Sequence, residues 1–169
     1  GYKADAWEGG HRVPFVVRWP GVVKPDSRCD QLVHQADLLA TFAEILGAKL
    51  PVSAGEDSFS LMPLFKGGTG PIRKHAVSAS IGGTPAVRMG QWKYIPARGS
   101  GGWGKGGDQS QSVQLYDLAD DLGERRNLAA KNPKQLEGMK ALLEKLIVQG
   151  RSTPGPKQKN DVKVLRYPR

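Results

Sequence analysis

The apolar positions of this chain change period twice along its length. Residues 13–19 (Val13-Pro14-Phe15-Val16-Val17-Arg18-Trp19) form a compact β-branched and aromatic run closed by Pro20-Gly21. That run predicts a buried strand, with Pro14 near its start, where a missing N–H does least harm. Over residues 36–46, Leu38, Leu39, Phe42, Ile45 and Leu46 recur at three- and four-residue steps, which is one helical face. Gly47 follows as a stop, and Asp37 sits in the first turn, where the helix dipole favours a carboxylate. Leu61, Met62, Leu64 and Phe65 make a short apolar patch before Gly67-Gly68-Thr69-Gly70-Pro71, which reads as a boundary between two halves. Beyond it the period shortens. Residues 76–81, 86–89, 92–95 and 113–118 read as short strands, and Met89-Gly90-Gln91-Trp92 suits a tight hairpin with Gly90 at positive φ. The last element is helical: Asn132 caps, Pro133 and Gln135 follow in the first turn, and Gly150 ends it. Its stripe is Leu136, Met139, Leu143, Leu146 and Ile147, facing the sheet. The expected architecture is α/β, with a small antiparallel sheet packed by a C-terminal helix.

Composition changes this picture little. With 169 residues, 22 glycines and 12 prolines, the chain is long enough for a core and rich in loops. No apolar run approaches the roughly 18 residues of a membrane span. The net charge of +9 is concentrated at the end, where residues 151–169 hold six basic groups against Asp161. With Pro154, Gly155 and Pro156, that segment is expected to be a disordered basic tail. A polycation of this kind can bind anionic polysaccharide or nucleic acid by charge alone, which keeps open a non-catalytic binding module. The single Cys29 excludes an intramolecular disulfide. The opening Gly1-Tyr2-Lys3 carries no signal-peptide pattern and reads as the middle of a motif in a longer chain.

Candidate chemistry gathers at the beginning. Lys3, His11 and Arg12 surround Gly9-Gly10, directly before the apolar run. Glycines there permit a turn with positive φ and close approach of a ligand, and cations beside such a turn make an anion-binding corner. Elsewhere the signals are weaker. Gly99 to Gly104-Lys105 has phosphate-loop spacing, but Gly106 stands where Ser or Thr is needed and no helix follows. The loop is read either as a passive one or as the mouth of a site, with Trp103 available to stack on a sugar or aryl ring. Asp117, Asp120, Asp121 and Glu124 lack calcium-loop spacing and read as turn and cap carboxylates. His34 has no second His or Cys at metal spacing and reads as a local hydrogen-bonder.

Lys3, Glu8-Gly9-Gly10, Arg12-Val13-Pro14 and the run ending Trp19-Pro20-Gly21 together resemble the second half of the sulfatases, sulfate-ester hydrolases of the alkaline-phosphatase-like superfamily. Further pieces follow in the family's order: Ala36-Asp37-Leu38-Leu39-Ala40-Thr41, Asp57-Ser58-Phe59-Ser60-Leu61-Met62-Pro63-Leu64, Ala86-Val87-Arg88-Met89-Gly90-Gln91-Trp92-Lys93-Tyr94-Ile95, and Leu115-Tyr116-Asp117-Leu118 with Glu124 and Asn127-Leu128. The resemblance implies that residues 1–68 end the large α/β sulfatase domain and residues 69–150 form its small antiparallel subdomain. It implies an arylsulfatase-like activity on a sulfate-ester substrate, with Lys3 contacting the sulfate and its bridging oxygen. Glu8, Gly9, Gly10 and Arg12 would support the site, and His11 and Trp103 would touch substrate. The family's formylglycine, made from a C-x-P/A-x-R motif, and its calcium are expected in the complete enzyme, contributed by an N-terminal portion that this stretch lacks. Cys29, in Arg28-Cys29-Asp30-Gln31-Leu32, does not fit that motif, and none of these residues is read as a metal ligand. The fragment alone is therefore expected to bind no cofactor and to be inactive. These residues leave the compartment open; for the complete enzyme the resemblance implies a periplasmic or extracellular location. The lack of a long apolar run leads to no expected membrane partner, and under the sulfatase reading nucleic acid is not an expected partner.

Overall fold

The computed structural model describes residues 1–107, 110–162 and 164. Its elements run α1 (Glu8–His11), α2 (Asp37–Ile45), α3 (Met62–Phe65), β1 (His75–Ala79), β2 (Pro85–Met89), β3 (Trp92–Ile95), β4 (Gln114–Asp117) and α4 (Pro133–Gln149). The four strands form one sheet in sequence order. The β2–β3 hairpin is antiparallel, pairs Val87 with Tyr94 and Met89 with Trp92, and turns at Gly90, whose φ is 57°. A side chain there would strain the turn, so glycine is selected for its backbone. β3 and β4 are antiparallel, with Lys93 opposite Tyr116 and Tyr94 opposite Leu115.

The chain gathers into two compact units, and they do not divide at Gly67–Pro71. Gly1–Pro14 joins Val77–Lys145 in one, while Phe15–Ala76 and Leu146–Asp161 form the other. The first fourteen residues group with the sheet because Ala6 and Trp7 enter its core, alongside Ala86, Ile95, Tyr116 and Leu118. The Trp7 indole N–H donates to Gln114 Oε1 at 2.9 Å, and Tyr116 Oη donates to the same oxygen at 2.7 Å. Gln114 in turn donates to the carbonyls of Ala97 and Gly99, so a fully buried amide finds its partners.

In the second unit α2 departs from expectation. Its apolar stripe points outward: Leu39, Phe42, Ile45 and Leu46 are all exposed, and Asp37, Thr41 and Ala43 are buried instead. Asp37 is completely buried, with Oδ1 3.0 Å from Arg73 Nη2, and it accepts the N–H groups of His34 and Phe59. Arg73 also donates to the Asp57 carbonyl and lies over the Phe59 ring. Thr41 links Asp37 O to the N–H of Leu61. A buried ion pair, with both carboxylate oxygens of Asp37 hydrogen-bonded, thus takes the place of an apolar seam. The run expected as a buried strand forms neither strand nor helix, and Val16 is 88% exposed. Its β-propensity describes a residue suited to a pleated surface; no neighbouring strand among the described residues supplies one.

The tail expected to be disordered makes specific contacts in its first part. Ser152 and Thr153 donate to Glu56 O, the Ser152 N–H also reaches Asp57 Oδ1, and Gln158 N donates to Gln149 O. Residues 163 and 165–169 of that tail lie outside the described residues. No helix among the described residues is long and apolar enough to cross a membrane.

Candidate functional site: a lysine on a braced turn

The Lys3 side chain is exposed, and among the described residues its ammonium has no ion pair. The backbone around it is held tightly. Asp5, 1% exposed, accepts the Tyr2 N–H at Oδ2 (3.0 Å) and the Gly104 N–H at Oδ1 (2.8 Å). Burial pushes its carboxyl up, but the Tyr2 and Gly104 N–H groups and the Ser100 hydroxyl outweigh that and hold it below the ordinary aspartate value. Ala4 adopts φ 82°, costly for a residue with a Cβ, and its carbonyl accepts from Ile81 N while Ala6 N donates to Ser100 O.

Gly9 and Gly10 lie inside the short α1 turn, and neither has positive φ. Their role is therefore not the turn geometry expected of them. A Cβ on Gly9 would overlap the Gly1 carbonyl, and one on Gly10 would overlap the Asp5 carbonyl. The glycines let α1 fold back onto the segment that carries Lys3.

Glu8 anchors this turn to the sheet. Its carboxylate is 3.0 Å from Lys93 Nζ, 3.3 Å from His11 Nε2, 3.6 Å from Arg12 Nη1 and 3.7 Å from Arg88 Nη1. Lys93, on β3, is 1% exposed and also lies 2.8 Å from Glu124 Oε1. That oxygen has no well-directed hydrogen bond, so the contact is chiefly charge on charge, while Glu124 Oε2 accepts the Glu8 N–H at 2.5 Å. Glu124 reaches this position from a backbone at φ 54°. Burial alone would raise the Glu8 carboxyl; hydrogen bonding to His11 and the charge of Lys93 win and hold it at about 2.

The expected site residues therefore fall into two groups. Glu8, Gly9, Gly10, His11 and Arg12 are brought together on one turn that packs on the segment carrying Lys3, with Arg12 paired to Glu8 and His11 half-buried against Glu8 and Lys93. Trp103 arrives from another part of the sequence: its carbonyl accepts from Tyr2 Oη at 2.9 Å and its side chain is 53% exposed. Two residues that hold the turn, Asp5 and Lys93, carried no role in the sequence reading, and Glu124, expected as a turn or cap carboxylate, is buried against Lys93 while it accepts the Glu8 N–H. The available signal for Lys93 was a lysine between Trp92 and Tyr94 in a strand otherwise fit for burial. Asp121 accepts from Arg125 and Arg126 N–H, and Asp117 from Ala119 N–H, as turn carboxylates do. His34 Nδ1 accepts from Ala36 N–H. No group of three or more His, Cys, Asp or Glu able to hold a metal occurs among the described residues.

This small sheet, carrying a lysine-bearing turn braced by a Glu-Gly-Gly, has counterparts in known proteins. A family model described as Sulfatase matches residues 1–48. The chain is 36% identical to an N-acetylgalactosamine-6-O-sulfatase of Bacteroides thetaiotaomicron over 85% of its length, and 33% identical to human arylsulfatase A over 92%. It spans only 29% and 34%, respectively, of those proteins. A solved 6S-sulfatase structure from the multiple-glycosaminoglycan locus of Bacteroides thetaiotaomicron superposes with a TM-score of 0.72 at 32% identity, covering 85% of this chain and 31% of that one. The fold is that of the alkaline-phosphatase-like hydrolases. Within that class the chain belongs to the sulfatase family and corresponds to a C-terminal part of it.

Proposed function

We propose that this chain is the C-terminal part of a sulfatase that hydrolyses sulfate esters, with Lys3 placed to meet the sulfate and the oxygen that leaves. The observation that carries the reading is an exposed ammonium on a backbone fixed from both sides by Asp5 and by the buried Glu8–Lys93–Glu124 cluster. A cation presented from a fixed backbone can meet the charge that develops on the leaving oxygen and stabilise it there. Glu8, Gly9, Gly10 and Arg12 support that placement. His11 is a candidate substrate contact at the edge of the same turn.

In this family a formylglycine and a calcium ion supply the nucleophile and the charge around the sulfate. The described residues do not fit either: Cys29 lies in Arg28-Cys29-Asp30-Gln31-Leu32, and no cage of carboxylates gathers. Both would come from the remainder of the enzyme, and the 169-residue chain alone turns over no ester. The exposed apolar residues Val13, Phe15 and Val16 and the outward stripe of α2 suit contact with that remainder.

The test is Lys3→Ala in the complete enzyme that contains this segment. The expected loss is about a hundred- to a thousandfold in kcat on an aryl sulfate. A loss under about threefold, or ester turnover by the isolated chain, would count against the assignment.

A further inference from the structure

We propose that Asp5 is a positioning residue that locks the loop Gly99–Gly107 to the Lys3 turn, so that Trp103 forms a sugar-ring platform at a fixed place beside the ammonium. The sugar half of this inference rests on the sulfatase reading; the locking half does not.

A glycine-rich loop is ordinarily the most mobile part of a molecule. Here the glycines serve contact instead. A Cβ on Gly102 would overlap the Ala4 carbonyl, one on Gly104 would overlap the Asp5 carboxylate, and one on Gly107 would lie 2.6 Å from the Trp7 ring. Ser100 closes the loop internally: its hydroxyl donates to Gly104 O at 2.9 Å and accepts from Gly102 N at 3.1 Å. Asp5 joins the two segments, because one buried carboxylate takes an N–H from Tyr2 on one side of Lys3 and an N–H from Gly104 on the loop. Tyr2 Oη, reaching the Trp103 carbonyl, adds a second tie. Two half-exposed aromatic side chains, Tyr2 at 55% and Trp103 at 53%, are thereby carried on backbone tied to the segment that bears Lys3. An exposed ring whose backbone is fixed presents an apolar face at little entropic cost, which is what the C–H face of a pyranose requires. The ligand class is a sulfated sugar, with the sulfate toward Lys3 and the ring on Trp103.

Heteronuclear NMR of the 169-residue chain tests this without any turnover. Asparagine at position 5 can accept from one N–H but turns an amide NH2 toward the other. Asp5→Asn should therefore speed Gly104 amide exchange about tenfold or more, the loss of one charge-assisted hydrogen bond. Amides of Tyr94 and Leu115 in the sheet should keep their protection. Titration with unsulfated N-acetylgalactosamine should shift the Trp103 indole resonance, with affinity weakened at least about threefold in both Asp5→Asn and Tyr2→Phe. Should Asp5→Asn unfold the sheet, Tyr2→Phe, which removes one exposed hydroxyl, carries the comparison. Unchanged Gly104 exchange in a folded Asp5→Asn variant overturns the lock, and a Trp103 indole indifferent to the sugar overturns the platform. Failure of the sulfatase assignment itself would appear only as absent turnover by the complete enzyme.

Discussion

Replacing Lys93 by methionine should cost this molecule more than any surface charge change. The ammonium is 1% exposed and sits 3.0 Å from Glu8 and 2.8 Å from Glu124. Methionine keeps the length of the side chain but removes the charge that allows two carboxylates to share one buried space. Breaking a buried ion pair from one side typically costs about 3–5 kcal/mol, because the orphaned charge stays desolvated. Arg88 and Arg12 remain, at 3.7 and 3.6 Å from Glu8, so the loss should lie nearer the lower figure. The Glu8 carboxyl, which the Lys93 charge helps to hold low, would keep its proton at higher pH, so the penalty should shrink as the solution is acidified from pH 7 to pH 5. Urea unfolding followed by tryptophan fluorescence, to which buried Trp7 contributes, measures both quantities. Glu124→Gln in the same background should recover part of the stability by removing one like charge. A Lys93→Met variant that loses under about 1 kcal/mol, or whose loss does not depend on pH, would refute the reasoning.

Gly10→Ala places a methyl group against the Asp5 carbonyl, so it should lower stability by about 1–3 kcal/mol in thermal unfolding, whereas alanine at exposed Gly138 should not. Asp37→Asn leaves Arg73 buried without its partner, and a loss of about 3–5 kcal/mol is expected for the second unit by urea titration. Glu8, held at about 2 against an ordinary 4.5, contributes stability that is complete above pH 4.5 and is lost as pH falls towards 2. Tyr94, pushed up by burial and by the charge of Glu137 to about 12, contributes stability that is lost as pH rises from 10 towards 12. A pH series of unfolding midpoints should show both flanks around a plateau.

What was legible in the sequence was local. The Gly90 hairpin and α4 follow from residues within one turn of each other, and both stand as expected in the sheet and helix. The period of α2 was legible too, but a period marks an apolar face without saying what covers it, and here the packed face is the polar one carrying Asp37 and Thr41. The Glu-Gly-Gly turn could be found from its wording, yet the reason for its glycines could not, since the overlapping atoms belong to Gly1 and Asp5. The pairing of Lys93 and Glu124 with Glu8 was not legible, because each is defined by a partner far along the chain: Glu8 is 85 residues from the one and 116 from the other.

The outward face of α2 has a practical corollary for work with the isolated polypeptide. At low ionic strength the net charge of +9 keeps molecules apart, while Phe42, Leu46 and Val16 stay in contact with water. Added salt shortens the reach of that repulsion to about 8 Å at 0.15 M and leaves the apolar attraction untouched. Solutions should therefore cloud as salt rises, the opposite of what a complex held together by opposite charges would do.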